Sequence, residues 1–183
     1  MGLGFAVGTR GADHNRSGAY QVDFSESVNR RRLRAEDVHH VVATEDQAAI
    51  LDSAIFCKFL RGVFSDLYVE GAEYLRLVTG WDISADELQQ TARRIVTVKK
   101  LFNVRAGWQP SEDTLPARLL QQPQADDAES HISASQLQEL VYAYNVARGW
   151  TQEGWIPAEL IEQLGLEDVH ASPVTPDAAR AAR

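Results

Sequence analysis

Asp52, Cys57 and His14 are the residues of this 183-residue chain whose types and settings invite chemistry. Asp52 interrupts the apolar run Ala48–Leu60, five residues before Cys57, the sole cysteine. A buried carboxylate left unmatched costs roughly 1–3 kcal/mol or more, so such a residue is paired, hydrogen-bonded or turned toward a ligand. In a continuous helix a five-residue step rotates about 140° at 3.6 residues per turn, which sends Asp52 and Cys57 to different sides. If both address one ligand, the chain must leave helical geometry between them. On residue type alone the alternatives stay open. On that footing Asp52 reads first as a solvent-facing notch in a helix, Cys57 as a small buried hydrophobe, and His14 as a loop histidine without a role, each ahead of a ligand or proton-handling role. One cysteine allows no intrachain disulfide and no complete cysteine-based metal site, and the five histidines show no ligand spacing such as H-x-x-x-H.

The elements that must position these residues read as helices. Thr44 followed by Glu45, Asp46 and Gln47 resembles a helix start with acids in the first turn. The run Ala48–Leu60 that follows is apolar on nearly every side, so a buried segment is expected. Val69–Thr79 is a helix candidate stopped by Gly80. Ser84 and Glu87 form a capping box before a helix with Leu88, Ala92, Ile95 and Phe102 on one face, ending near Ala106-Gly107. A second box, Ser133 with Gln136, opens a helix carrying Leu137, Leu140, Val141 and Tyr144, stopped at Gly149. Pro157 and Gly165 bracket a last short helix.

Residues 1–24 carry five glycines and read as loop with short extended pieces, as though the chain began in the middle of a fold. Residues 121–132 read as a polar loop. The expected fold class is all-α: an irregular helical domain over 41–166, behind a loop-rich N-terminal segment over 1–40 and ahead of a disordered tail over 167–183.

Composition narrows the function classes. Hydrophobic residues make up 44%, charged residues 24%, and the net charge is −8 with a pI near 5.1. An acidic chain of this kind argues against nucleic-acid binding and against a membrane surface. No apolar run is long enough to span a bilayer, and the N-terminus lacks the pattern of a signal peptide. A cytoplasmic location is the default expectation. Gly2–Gly8 suggests a dinucleotide loop, but its last interval is one residue too long and no strand precedes it. The basic cluster Arg30–Arg34 reads as a solvated loop.

Several segments resemble the tungsten-dependent aldehyde ferredoxin oxidoreductases, in particular their C-terminal part. The family pattern D-x-x-G-L-C, followed by Lys-Phe or a similar pair, is matched by Asp52-Ser53-Ala54-Ile55-Phe56-Cys57-Lys58-Phe59. Aspartate and cysteine keep their spacing, while Ile55 and Phe56 replace the glycine and leucine. A glycine lets the backbone turn or approach a ligand closely, and a β-branched isoleucine disfavours that conformation. Leu3–His14 is similar to the family stretch "GYATSNRGADH". Arg94-Ile95 through Leu101–Gly107 resembles "RI…FNVREG", and Glu112–Arg118 resembles "DDxLPxR". Tyr144, Arg148-Gly149-Trp150, Gly154 and Leu164–Leu166 resemble "YY…RGW…G…LGL", with Asn145 at the second tyrosine. The matches run in order from residue 3 to residue 166.

The resemblance implies roles. Asp52 would hydrogen-bond a pyranopterin of a tungsten (or molybdenum) bis-pyranopterin cofactor. Cys57 would be the last of four ligands to a [4Fe–4S] cluster. His14 would lie near the metal and handle a proton of the substrate, because imidazole titrates near neutrality. The other three cysteines, in a C-x-x-C-x-x-x-C arrangement, and most cofactor contacts would belong to an N-terminal part of the enzyme or a separate subunit. The isolated chain is therefore expected to hold no cofactor. Completed, it would oxidise an aldehyde to a carboxylic acid and pass electrons to ferredoxin. The competing reading is a non-catalytic helical interaction module, a relic that kept its fold and lost its cofactor. Ile55 and the missing cysteines favour that reading; retention of Asp52 and Cys57 favours the enzyme.

Overall fold

A computed structural model describes residues 1–127 and 130–171. Among the described residues ten α-helices follow one another: α1 (Gly2–Ala6), α2 (His14–Ser17), α3 (Tyr20–Asp23), α4 (Val38–Ser53), α5 (Leu67–Thr79), α6 (Ala85–Arg105), α7 (Ala117–Gln121), α8 (Ala134–Ala147), α9 (Ala158–Gln163) and α10 (Glu167–Ala171). Short 3₁₀ turns occupy Ala35–Asp37, Lys58–Gly62 and Pro110–Glu112. No strand occurs among the described residues; two isolated β-bridges, Thr9 with Gly11 and Gln124 with Asp127, are the only extended pairings there. The fold is all-α.

Local chemistry explains most helix ends. Ser84 Oγ accepts from the Glu87 amide at 3.2 Å while the Glu87 carboxylate accepts from the Ser84 amide, so both sides of the capping box close. Ser133 and Gln136 do the same for α8. Gly80 ends α5 in the left-handed region at φ 75°, which a glycine adopts without steric cost.

Helix α4 is the axis of the molecule. It packs on α6 and α8, while α2 and α3 lie against it and α5 packs on α6. The main core gathers Leu3, Val7, Val22, Val41, Val96, Leu101, Leu140, Tyr144 and Trp150 from both ends of the chain. A second, smaller core of Ile50, Leu51, Leu67, Ala72, Leu88 and Ala92 joins α4, α5 and α6.

Four expectations change. The first 24 residues form three short helices rather than extended pieces. Helix α4 begins at Val38, so Glu45 and Asp46 are not first-turn acids; both are buried inside the helix. Their partner is Arg148, the C-cap of α8, with Nη1 to Asp46 Oδ1 at 2.5 Å and Nη2 paired to Glu45. Phe102, placed on the apolar face of α6 by spacing, is exposed. The tail begins as helix α10 over its first five residues, and 172–183 lie outside the described residues.

Candidate functional site

The chain leaves helical geometry between Asp52 and Cys57. Helix α4 ends at Ser53, Ala54 caps it, and Ile55 then enters the left-handed region at φ 60°. Cys57 is extended (φ −62°, ψ 132°) and starts the 3₁₀ turn Lys58–Gly62. Ile55 is the one non-glycine residue at positive φ among the described residues. The left-handed conformation costs an L-residue roughly 1–2 kcal/mol, and a β-branched side chain is ill suited to it. The backbone therefore keeps the turn a glycine would make, although isoleucine occupies it. Isoleucine disfavours this conformation, as expected from its type, yet the chain adopts it here.

Burial also departs from expectation. Ala48–Leu51 are in the core, but the second half of the apolar run faces out. Ile55 is 91% exposed and Phe59 90%, and the Cys57 thiol is exposed as well. Cys57 is not a small buried hydrophobe. The core ends with α4, and the segment beyond it lies on the surface.

Asp52 is a paired carboxylate rather than a solvated notch. Arg16 of α2 forms an ion pair with its Oδ2, and Lys58 Nζ stands 3.6 Å from Oδ1. Lys99 on α6 shares the neighbourhood: burial, followed by repulsion from Arg16, lowers its pKa, while Asp52 opposes that shift. Two cations, Arg16 and Lys58, thus stand against the Asp52 carboxylate, with Lys99 within electrostatic range of it.

Lys58 ties the three candidate residues together. It follows Cys57, lies near Asp52, and donates to the carbonyl of Asn15, next to His14. His14 is exposed at the start of α2, where Asp13 caps the turn by accepting from the Asn15 amide at 2.8 Å. That bond and the Arg10 guanidinium outweigh the burial cost and hold the Asp13 carboxyl below its usual range. His14, Asn15, Tyr20, Phe24, Lys58 and Phe59 line an open cleft of about 690 Å³. His14 and Lys58 share this cleft, Lys58 links it to Asp52, and neither Asp52 nor Cys57 is among its lining residues.

Three contacts fix the His14 segment. Gly18 ends α2 at φ 61° and approaches α4 so closely that a Cβ there would sit 3.1 Å from the Thr44 carbonyl oxygen. Thr44 Oγ1 donates to the Ser17 carbonyl at 2.9 Å. Asn103 on α6 donates to the Thr9 carbonyl at 2.6 Å. A second cleft of about 800 Å³ lies here, where Phe5–Ala12, the end of α6 and Glu112–Pro116 meet. Its floor holds Lys100, 3.0 Å from Asp113 and 3.1 Å from the Trp108 ring centre. Burial lowers the Lys100 pKa and raises that of Asp113.

Sequence reasoning missed Arg16 as the partner of Asp52. Nothing local to Arg16 signals the pairing, since the two are 36 residues apart. Lys58 was visible only as the residue after the cysteine.

The site's chemistry fits part of a metallocofactor cradle. An exposed thiol suits soft-metal ligation, and the excess of cations suits an anion-bearing ligand. Asp52 retains acceptor capacity, since a carboxylate offers about four lone-pair sites and two cations do not exhaust them. No cluster of three or more His, Cys, Asp or Glu able to hold a metal exists among the described residues.

Comparison with known proteins agrees with the motifs. Residues 1–166 match the family described as "Aldehyde ferredoxin oxidoreductase, domains 2 & 3". The chain is 33% identical over 175 residues to the tungsten-containing aldehyde ferredoxin oxidoreductase of Pyrococcus horikoshii, which covers 91% of this chain and 28% of that protein. The Thermococcus kodakarensis enzyme of the same name is 31% identical over 175 residues, with the same coverage. The Pyrococcus furiosus enzyme is 29% identical over 176 residues, covering 92% of this chain and 28% of its own length. The chain thus spans between a quarter and a third of the length of these curated relatives. With the match running through the His14 segment, the Asp52–Cys57 turn and the C-terminal helices, this chain belongs to the aldehyde ferredoxin oxidoreductase family, corresponding to its C-terminal domains.

Proposed function

We propose that this chain supplies one wall of the cofactor site of an aldehyde:ferredoxin oxidoreductase. The observation that supports the proposal is the break after α4 between Asp52 and the exposed Cys57, with Lys58 linking Asp52 to the His14 cleft. The tungsten pterin cofactor supplies the redox chemistry that converts an aldehyde to a carboxylic acid. Asp52, fixed by Arg16 and Lys58, would accept a hydrogen bond from a pterin N–H. The positive field of Arg16, Lys58 and Lys99 would hold the cofactor's phosphate. Cys57 would contribute one thiolate to a [4Fe–4S] cluster, the other three coming from an N-terminal part or a separate subunit. His14, at the cleft, would exchange a proton with the substrate. Electrons would leave through the cluster to ferredoxin.

The competing reading is a helical interaction module without cofactor, which Ile55 in place of glycine favours. Purification of the protein from its native host, grown with and without tungstate, separates the two. The enzyme reading predicts bound tungsten and iron and aldehyde-dependent reduction of a viologen dye only after growth with tungstate. A metal-free protein without dye reduction under both conditions would sink it.

A further inference from the structure

We propose that Lys100 is a nucleophilic amine that holds a small aldehyde covalently, as an imine, in the cleft between the N-terminal segment and the end of α6. No residue of the Asp52–Cys57 turn takes part, so the site stands or falls apart from the reading of Cys57 as a cluster ligand.

The setting of this lysine is unusual for its type. Its side chain is 3% exposed, yet it forms part of the lining of the cleft of about 800 Å³. Lysine is seldom buried unless its charge is well matched. An ammonium group brings three N–H donors. Among the described residues Asp113 Oδ2, at 3.0 Å, is its one hydrogen-bond acceptor, and the Trp108 ring covers a second side. An ammonium held this way is under-satisfied, and burial lowers the Lys100 pKa while it raises that of Asp113. Both effects favour passage of the proton across the 3.0 Å bond, from Nζ to Oδ2. The result is a free amine beside a carboxylic acid. A desolvated lysine of this kind is suited to attack a carbonyl carbon.

The acid is held in place. Asp113 Oδ1 accepts from Trp108 Nε1 at 2.8 Å, and Trp108 meets Trp155 edge-on with ring centres 5.3 Å apart. Attack of the amine on the aldehyde carbon forms the C–N bond, and a proton passes from nitrogen to the carbonyl oxygen, giving a carbinolamine. Asp113 then protonates the hydroxyl, the C–O bond breaks and water leaves. A protonated imine now faces the Asp113 carboxylate, as the ammonium did before. Ammonium and aldehyde have become protonated imine and water, with no oxidation or reduction.

The remaining lining selects the ligand. Phe5, Leu115 and Pro116 offer apolar surface beside the amine. The volume falls within the roughly 300–1,000 Å³ of small-molecule pockets. The occupant is therefore an aldehyde with a small apolar body.

The chain has three lysines, Lys58, Lys99 and Lys100, so each can be followed separately. The purified full chain is incubated near neutral pH with benzaldehyde and cyanoborohydride, which reduces an imine to a stable secondary amine. Peptide fragmentation then distinguishes Lys99 from Lys100. Labelling of Lys100 should saturate with benzaldehyde concentration and run at least about tenfold faster than that of Lys58, because the aldehyde binds before it reacts. Lys100→Arg keeps a cation against Asp113 and Trp108, and should lose the fast, saturable phase while still unfolding cooperatively on heating. Asp113→Asn keeps a polar group at the lysine but cannot hand on a proton, and should slow Lys100 labelling by about 10²-fold. Lys100 left unlabelled, labelled without saturation, or labelled no faster than Lys58 would overturn the proposal, as would a fast phase that persists in Lys100→Arg. An equal or faster rate in Asp113→Asn would show that the carboxylate only holds the ammonium, and would overturn its part as the acid.

Discussion

The middle and the C-terminal end of α4 handle awkward groups in opposite ways. Its middle buries Glu45 and Asp46, and the fold answers them with Arg148 and with the Tyr144 hydroxyl, which donates to Glu45 at 2.5 Å. Burial of the Arg148 guanidinium works against its charge, but Tyr144, Glu45 and Asp46 outweigh that and raise its pKa further. Its C-terminal end instead releases the chain into a turn with a left-handed isoleucine and an exposed thiol, and the fold answers neither. Only Asp52, at the boundary, is paired within the chain. The contrast separates what holds this protein together from what it offers to others.

Breaking the buried end should produce the largest effect. Arg148→Ala strips the partner from two buried carboxylates, and loss of one side of a buried pair costs about 3–5 kcal/mol. Urea denaturation at neutral pH should show that loss. It should shrink as the solution is acidified and the carboxylates take up protons, since burial already raises the Asp46 pKa.

A smaller effect of the same region appears at high pH. Burial, with the nearby Asp46 charge, pushes the Tyr68 hydroxyl up to about 12 from 10.0. A group whose folded pKa is raised keeps its proton longer in the folded state, so its contribution is intact below the unfolded value and is lost as pH rises through the folded one. Stability should fall between pH 10 and pH 12, by on the order of 1–2 kcal/mol once solvent screening is allowed for. Tyr68→Phe should flatten that part of the stability profile.

At the exposed end the sign reverses. Ile55→Gly should stabilise the chain by about 1 kcal/mol, the left-handed penalty less the entropy that glycine adds to the unfolded state. A destabilised Ile55→Gly chain in thermal melts would show that the isoleucine turn is not strained. Smallest of the four, Ser84→Ala should cost about 1 kcal/mol or less through the lost cap of α6, with no effect on metal content.

Legibility of the sequence followed the range of the interactions. The capping boxes at Ser84 and Ser133 and the glycine stops at Gly80 and Gly149 are built from residues a few positions apart, and the chain shows them directly. The break between Asp52 and Cys57 followed from helical geometry once both residues were assigned to one ligand. The Arg148 clamp was not legible, because its partners are about a hundred residues away and Glu45-Asp46 also fits a helix start. The exposure of Cys57 escaped because residue-type averages place free cysteine inside, whereas here the core ends before the cysteine is reached. The short helices before Asp23 escaped because their glycines read as loop; tertiary contact with α4 and α8 overrides that preference.

The most direct test of the account is the iron content and electron paramagnetic resonance signal of the reduced protein from its native host, compared with Cys57→Ser. The account predicts iron near the stoichiometry of one four-iron cluster and the signal of a reduced cluster, both lost or strongly altered when Cys57 is replaced. Iron-free native protein, or a signal indifferent to Cys57→Ser, would contradict it.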